Sequence, residues 1–275
     1  MTTRAKADLR TVSLVCVETR YPQLARYAID RCLAQADFKE CLLLSPEQHD
    51  LPDYIGQVKI DPITSVPAYS SFMLRELGKH FTGTHALVIQ WDSYILHGEA
   101  WNPAFLDYDY IGAPWGHRPV EVGNGGFSLR SRRLVEAIDQ LTITDTHPED
   151  FIICERHGAE LAEVHGIRFA PRALADAFAF EEVKPPGPTF GFHGFFNFHK
   201  VLSDRELADY IALCDDKTMQ AETTRRLIRS LYHEGRYAIA RQMLQRRLRG
   251  PFRMAMDARW LDLRSRWHAL VKKPG

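Results

Sequence analysis

Short apolar runs alternate with helical segments along the first third of the chain, and this alternation limits the fold more than any other feature of the sequence. The apolar runs are typical of buried strands and occupy residues 12–17, 41–45, 58–60 and 85–91. Helical patterns cover residues 22–36 and 69–80 between them. Strands separated by helices usually form parallel sheets with helices on both faces. The sequence therefore predicts an α/β fold with a mostly parallel sheet.

The pattern becomes purely helical in the last quarter of the chain. At 275 residues, 45% hydrophobic and 25% charged, the protein has the composition of an ordinary globular protein, which excludes a disordered or fibrous chain. We expect two domains, an α/β domain over residues 1–202 and a helical appendage over 203–275. Residues 227–248, with Gly235 at the bend, are similar to one tetratricopeptide-style hairpin without a second copy.

The charge of the chain is unevenly distributed. Residues 222–275 carry 14 lysines and arginines against 4 acidic residues, a net charge of +10, and the remainder carries −10 because the whole chain is neutral. Such an excess favours an anionic partner: a membrane surface, nucleic acid or the acidic body of the protein itself. We do not expect nucleic acid, because no reading motif accompanies the charge. Packing on the acidic domain and a homodimer contact remain alternatives.

The last helical segment repeats large apolar residues. Met256, Trp260, Leu263, Trp267 and Leu270 recur every three or four residues, which is typical of an amphipathic helix. The five scattered cysteines indicate free thiols in a reducing compartment, and no apolar leader or membrane-spanning run is recognisable. We expect a cytoplasmic protein, with attachment to the inner membrane as a further hypothesis.

Three polar features stand where α/β proteins bind ligands. Asp92 follows an apolar strand and suits a divalent cation, or merely caps the strand end. Glu149 and Asp150 start a helix with Thr146 as the expected N-cap. They either stabilise the helix through its dipole or act as a general base. His193 lies in a loop of glycines and aromatics and suits a metal or a phosphate, although a structural histidine is the commoner case.

Five motifs occur in an order that resembles a family of uncharacterised domains assigned to the GT-A glycosyltransferases. The resemblance spans about residues 10–202 and is specific as a set. The motifs are QWDS-YIL (90–96), YDYIGAPW (108–115), GNGGFSLRSR (123–132), PED (148–150) and FGFHGF (190–195).

The resemblance implies a GT-A-like fold and a role for each matching residue. Asp92 and His193 are expected at a Mn²⁺ or Mg²⁺ ion, and Glu149 or Asp150 is expected as the catalytic base. The donor nucleotide sugar is expected at Thr19, Arg20, Asp92, Ser93, Gly125 and Gly126, and the acceptor at Asn124 and Trp115. Because Ser93 and Tyr94 follow Asp92, the second aspartate of a DxD motif is missing, which leaves metal dependence open.

The leading hypothesis is therefore a glycosyltransferase, expected to be inverting, that uses a UDP- or GDP-sugar and a glycan or glycolipid acceptor in bacterial surface polysaccharide synthesis. The alternative is a catalytically idle sugar- or nucleotide-binding domain whose helical tail binds a protein.

Overall fold

The chain forms two compact units, Met1–His193 and Gly194–Gly275. The architecture is taken from a computed structural model, which describes residues 6–116, 118 and 120–271, with side chains described as far as residue 263. The predicted Trp267 and Leu270 side chains lie outside the described residues. The domain boundary after Leu202 stays a prediction, and residues 194–202 group with the second unit.

The first unit is a mixed α/β structure. Its strands are β1 (Ala7–Val17), β2 (Ala36–Ser45), β3 (Gly56–Lys59), β4 (His85–Ile89), β5 (Ser93–Ile95), β6 (Tyr110–Ile111), β7 (Phe127–Ser131), β8 (Ala179–Phe180) and β9 (Gly191–His193). Its helices are α1 (Pro22–Gln35), α2 (Val66–Arg75), α3 (Arg132–Ile138), α4 (Glu149–Phe151), α5 (Gly158–Glu163) and α6 (Arg172–Phe178), with a π-helical turn over Ile152–Arg156 directly after α4.

Six strands form the main sheet in the order β3-β2-β1-β4-β7-β6. The first four are parallel, and β7 and β6 are antiparallel to their neighbours. The central strands are apolar on both faces, as in Leu14, Val15 and Cys16 of β1, which are fully buried. Together with the flanking helices and the helical C-terminal region, this sheet confirms the predicted fold class.

A second, three-stranded sheet has the order β5-β9-β8. Its register pairs Ser93 with His193 in antiparallel fashion, directly after Gln90–Asp92 leave the end of β4. The sequence predicts a loop over residues 185–194, but residues 191–193 of this segment form β9. The pairing brings the QWDS and FHG motifs side by side.

Two local predictions are also wrong. The sequence Gly-Ile-Arg-Phe-Ala at residues 166–170 predicts a short strand, but this segment forms only a single bridge, from Phe169 to Tyr110. The expected N-cap Thr146 lies too early, since the N-cap of α4 is Pro148, which has extended backbone angles. Pro148 therefore precedes the helix and does not occupy its first turn. Glu149 and Asp150 remain at the helix start.

The second unit is entirely helical in its described part. Its helices are α7 (Phe198–Val201), α8 (Asp204–Leu213), α9 (Asp216–Gln220), α10 (Glu222–His233), α11 (Tyr237–Leu248) and α12 (Phe252–Val271). Gly235, with a φ of +75°, makes the bend between α10 and α11. Among the described residues, no helix combines the length and the apolar composition that crossing a bilayer requires.

Arginines of the second unit bind the carboxyl ends of neighbouring helices. Arg236 donates to the carbonyls of His199 and Leu202 at 2.6 and 2.8 Å, at the end of α7. Arg246 donates to the carbonyls of Ile211 and Cys214 at 2.7 and 2.8 Å, at the end of α8. The final carbonyls of a helix have no intrahelical partner and a negative partial charge, so a guanidinium stabilises them. Part of the basic excess is therefore used inside the unit.

Arg247 acts in the same way on α9 and is the most buried of these arginines. It is 1% exposed, and its Nη1 donates to the carbonyls of Met219 and Ala221 at 2.7 and 2.8 Å. Its Nη2 lies 3.4 Å from the carboxylate of Asp257. This side chain thus joins three helices.

We predict that Arg247→Met lowers the free energy of unfolding by about 1–3 kcal/mol, because buried carbonyls and Asp257 lose their partner. Arg241→Met is the matched control, since Arg241 is exposed on the same helix. Urea unfolding followed by circular dichroism measures both variants. Equal stability of the two variants would contradict the capping role.

Candidate active site

A cleft of about 320 Å³ opens beside the carboxyl end of β4. It is bounded by the turn at residues 123–126, the start of α4 and the ends of β8 and β9. The polar side chains that line it are Tyr69, Ser70, Gln90, Arg118, Asn124, His147, Glu149, Asp150, Glu181 and His193. Ligands in open α/β sheets usually bind at this edge, beyond the carboxyl ends of the parallel strands. The cleft is therefore the candidate active site.

His193 lies at the centre of a charged cluster on one side of the cleft. Its Nε2 is 3.5 Å from Oδ1 of Asp92 and 3.1 Å from Oε1 of Gln90. Its Nδ1 is 3.0 Å from Oε1 of Glu181 and 3.1 Å from the amide of Asn124. A carboxylate therefore faces each nitrogen of the ring.

This arrangement favours the charged form of His193. Burial alone would lower the pKa of the imidazole, but the carboxylates of Asp92 and Glu181 raise the pKa well above its usual value. Because the folded-state pKa is raised, the stabilisation is complete below the unfolded-state pKa, about 6.5. It is lost as the pH rises through the folded-state pKa. At neutral pH the cleft thus contains an imidazolium between two carboxylates.

The glycine pair of the turn allows the site side chains to approach the backbone. A Cβ atom on Gly126 would lie 2.3 to 2.6 Å from atoms of the His193 ring, and one on Gly125 would lie 2.2 Å from Oε1 of Glu149. Both distances are well below van der Waals contact. The turn therefore requires glycine for close packing, and it places the cluster around His193 next to the carboxylates of α4.

Glu149 is held in a buried ion pair. Its Oε1 lies 3.1 Å from Nη2 of Arg130, whose side chain is 1% exposed, and Ser70 donates to its Oε2 at 3.3 Å. Arg130 also donates to the hydroxyl of Ser128 and the carbonyl of Gly125, so the cation is fixed from several sides. Breaking such a pair leaves an uncompensated buried charge. Glu149 is therefore arranged as a positioning residue.

Asp150 differs from its neighbour in that backbone N–H groups hold its carboxylate. Its two carboxylate oxygens accept from the backbone N–H groups of Gly125 at 3.1 Å and Phe151 at 2.8 Å. Burial, followed by the charge of Glu149, raises the pKa of Asp150, while the backbone hydrogen bonds and Arg130 oppose the rise. A carboxylate with a raised pKa in a cleft has the properties of a general base.

The remaining predicted residues lie in three kinds of position. Asn124, with a φ of +55°, and Trp115 line the cleft. Ser93 is buried, and its hydroxyl donates to the carbonyl of Gly126 at 2.7 Å, so it connects β5 to the glycine turn. Thr19 and Arg20 follow the end of β1 and are not among the residues that line the cleft.

Sequence reasoning missed Glu181, Arg130 and Gln90. Glu181 follows the buried strand β8 directly, so the argument that selected Asp92 also applies to it. Gln90 and Arg130 lie inside two of the motifs given above. The residues next to them in the sequence do not indicate which side chains they contact. Gln90 contacts His193 and Arg130 contacts Glu149, and each contact joins segments that are separate in the chain.

The side chains fit a cation only in part. Among the described residues, no three His, Cys, Asp or Glu side chains are arranged to hold a metal ion. Asp92 and Glu181 face opposite nitrogens of His193, which is itself charged. The described side chains therefore do not form a complete cation site by themselves.

Residues 55–193 match the model of a family described as protein of unknown function, DUF5672. The chain belongs to the DUF5672 family. The DUF5672 region ends at the same residue as the first structural unit. It includes every site residue named above except Thr19 and Arg20. A comparison with curated protein sequences finds no match.

Several solved structures are distantly similar to this DUF5672 protein. Staphylococcus aureus TarS (residues 1–349) has 13% identity and a TM-score of 0.38, with 90% of this chain and 78% of that chain covered. The mannosyltransferase PcManGT from Pyrobaculum calidifontis, in complex with GDP-Man and Mn²⁺, has 13% identity and a TM-score of 0.40, with 96% and 81% covered. The apo glycosyltransferase GlyE of Streptococcus pneumoniae has 10% identity and a TM-score of 0.35, with 84% and 64% covered. These scores are too low to support an inference about this chain.

We predict that Asp92→Asn and Glu181→Gln each lower the pKa of His193, because each removes a negative charge from one side of the ring. An NMR titration of the imidazole signals measures the pKa directly. Asp139→Asn, which neutralises an exposed carboxylate of the same unit, is expected to leave it unchanged. An unchanged pKa of His193 in both variants would contradict the contacts of Asp92 and Glu181 with the imidazole ring.

Proposed function

We propose that this protein is a GT-A-like glycosyltransferase that moves a sugar from a nucleotide-diphosphate donor to a hydroxyl group of a glycan or glycolipid. The observation that carries the proposal is that Asp150, a carboxylate with a raised pKa, shares one cleft with His193 and Glu181, while Asp92 lies 3.5 Å from the His193 ring without lining the cleft. Sugar transfer needs a base for the incoming hydroxyl and positive charge near the leaving diphosphate.

Asp150 is the proposed base. It accepts the proton of the acceptor hydroxyl as the bond to the sugar forms, and the N–H groups of Gly125 and Phe151 fix the orientation of its carboxylate. Glu149 pairs with Arg130 and is proposed to position the start of α4. An attack from the face opposite the leaving group inverts the anomeric carbon. We therefore propose an inverting transfer.

His193 is the proposed source of positive charge from the protein. Because two carboxylates flank the ring, the imidazolium is proposed to offset only part of the negative charge that builds on the leaving diphosphate. A Mn²⁺ or Mg²⁺ ion bound at Asp92 would supply further charge stabilisation of the same kind.

The other sequence assignments complete the proposed substrate site. Gly125, Gly126 and Ser93 shape the wall near the donor, and Thr19 and Arg20 are proposed to contact its UDP or GDP moiety. Asn124 and Trp115 are proposed to face the acceptor. We also propose that residues 1–202 form the catalytic domain of a cytoplasmic enzyme in bacterial surface polysaccharide synthesis.

The incomplete cation site favours a second candidate, a catalytically idle domain that binds a nucleotide sugar. Calorimetric titration with a panel of UDP- and GDP-sugars, with and without Mn²⁺, followed by measurement of donor hydrolysis, distinguishes the two. Binding followed by turnover supports the transferase. Binding without turnover that Asp150→Ala does not alter supports the idle domain, and no binding of any donor contradicts both.

We predict that Asp150→Asn lowers kcat by roughly 10²- to 10⁴-fold while donor affinity is retained, because an amide cannot accept the proton. Asp139→Asn is the matched control, since Asp139 is an exposed carboxylate of the same unit. Donor consumption in the presence of acceptor measures kcat, and calorimetry measures affinity. Full activity of the Asp150 variant would remove Asp150 from the mechanism.

We further predict that kcat falls as the pH drops through the raised pKa of Asp150, because the protonated carboxyl is no base. Arg130→Met is expected to move this fall to higher pH, since loss of the cation raises the pKa of Asp150 further. Arg130→Lys keeps a positive charge and is expected to restore most of the original profile. An identical pH profile in all three proteins would show that Arg130 is merely structural.

A further inference from the structure

Helix α12 of the second unit has apolar residues on two opposite sides. On the inner side, Ala258 is fully buried and Leu261 is 4% exposed. Asp257, on the same side, forms ion pairs with Arg225 at 2.9 Å and Arg247 at 3.4 Å. These contacts attach the helix to α10 and α11. The inner side therefore accounts for the folding of α12 onto its own unit.

The opposite side carries larger apolar residues. Phe252 is 78% exposed, Met256 is 47%, Trp260 is 52% and Leu263 is 68%. They follow one another at intervals of four, four and three residues, which places them along one stripe of the helix. The sequence analysis expected Met256, Trp260 and Leu263 to form an amphipathic pattern. The structure shows that this stripe faces away from its own unit.

The charges beside the stripe have one sign. From residue 248 to residue 263, every exposed side chain is apolar or an arginine, namely Leu248, Arg249, Pro251, Phe252, Arg253, Met254, Met256, Arg259, Trp260 and Leu263. The acidic residues of this segment, Asp257 and Asp262, are half-buried. We call Phe252, Arg253, Met256, Arg259, Trp260 and Leu263 the outer face of α12. Exposed apolar patches of this kind are typical of interaction sites.

We propose that the outer face of α12 binds the surface of an anionic lipid bilayer, with the helix lying parallel to the membrane plane. Arginines attract anionic headgroups, and the adjacent large apolar side chains enter the boundary between headgroups and acyl chains. A tryptophan suits this boundary because its ring is amphipathic. The proposal commits to a bilayer because all exposed charges here are positive and apolar side chains alternate with them. It does not depend on the proposed transferase activity.

The experiment is co-sedimentation of the full chain with vesicles. Vesicles of phosphatidylcholine alone are compared with vesicles that also contain phosphatidylglycerol, at low and high salt. We expect binding to the anionic vesicles only, and weaker binding at high salt because salt screens the arginines. Equal binding to both vesicle types, or to neither, would overturn the proposal.

Two sets of variants locate the contact. Arg253→Gln and Arg259→Gln together are expected to weaken binding by about 25-fold, at roughly fivefold per basic residue near the surface. Phe252→Ser, Met256→Ser and Leu263→Ser together are expected to abolish binding that survives high salt. The matched controls are Arg229→Gln with Arg241→Gln, and Leu213→Ser, which change exposed residues on α10, α11 and α8.

Circular dichroism and thermal unfolding verify that all variants remain folded, which is expected because the changed side chains are exposed. Light scattering after gel filtration provides the competing readout. If the chain is a dimer in solution, and the serine variants are monomers while vesicle binding is absent, the outer face joins two copies and the proposal is wrong. Control variants that lose vesicle binding as strongly as the outer-face variants would also overturn it.

Discussion

The antiparallel pairing of Ser93 with His193 is the contact on which the candidate site depends. It joins the segment that leaves β4 to the last strand of the first unit, a hundred residues later in the chain. Backbone hydrogen bonds fix the register, so Asp92 and Gln90 necessarily meet the imidazole. Gly126 then packs against the ring, and the carboxylates of α4 follow through the glycine turn. Four distant stretches thus become one cleft.

The neighbouring carboxylates Glu149 and Asp150 show how environment separates two similar groups. Arg130 neutralises the first within a buried network, whereas backbone N–H groups orient the second without cancelling its charge. The negative charge of Glu149 contributes to the raised pKa of Asp150. Glu149 therefore contributes to the raised pKa of Asp150, and the roles proposed for the two carboxylates follow from their different partners.

Local patterns in the sequence predicted those features that local forces determine. The buried runs of β1, β2 and β4 and the helix α1 follow from apolar periodicity, and Asp92 and His193 were selected from strand-end and loop positions. The pattern failed at residues 166–170, where only Phe169 bridges to another strand. It also missed Glu181 and Arg130, whose importance lies in partners distant in sequence. The sequence also did not predict that α12 has apolar residues on two opposite sides, because periodicity does not show which side of a helix packs against its own unit.

The arginines that bind helix ends change how the basic C-terminal unit should be understood. Arg236, Arg246 and Arg247 are each attached to two carbonyl groups at the end of another helix, so they act as internal cross-links. Their positive charges interact mainly with nearby helix dipoles and with the carboxylates of Asp204, Asp216 and Asp257. The attraction of this unit for an anionic partner therefore depends on its exposed cations, which lie on several of its helices.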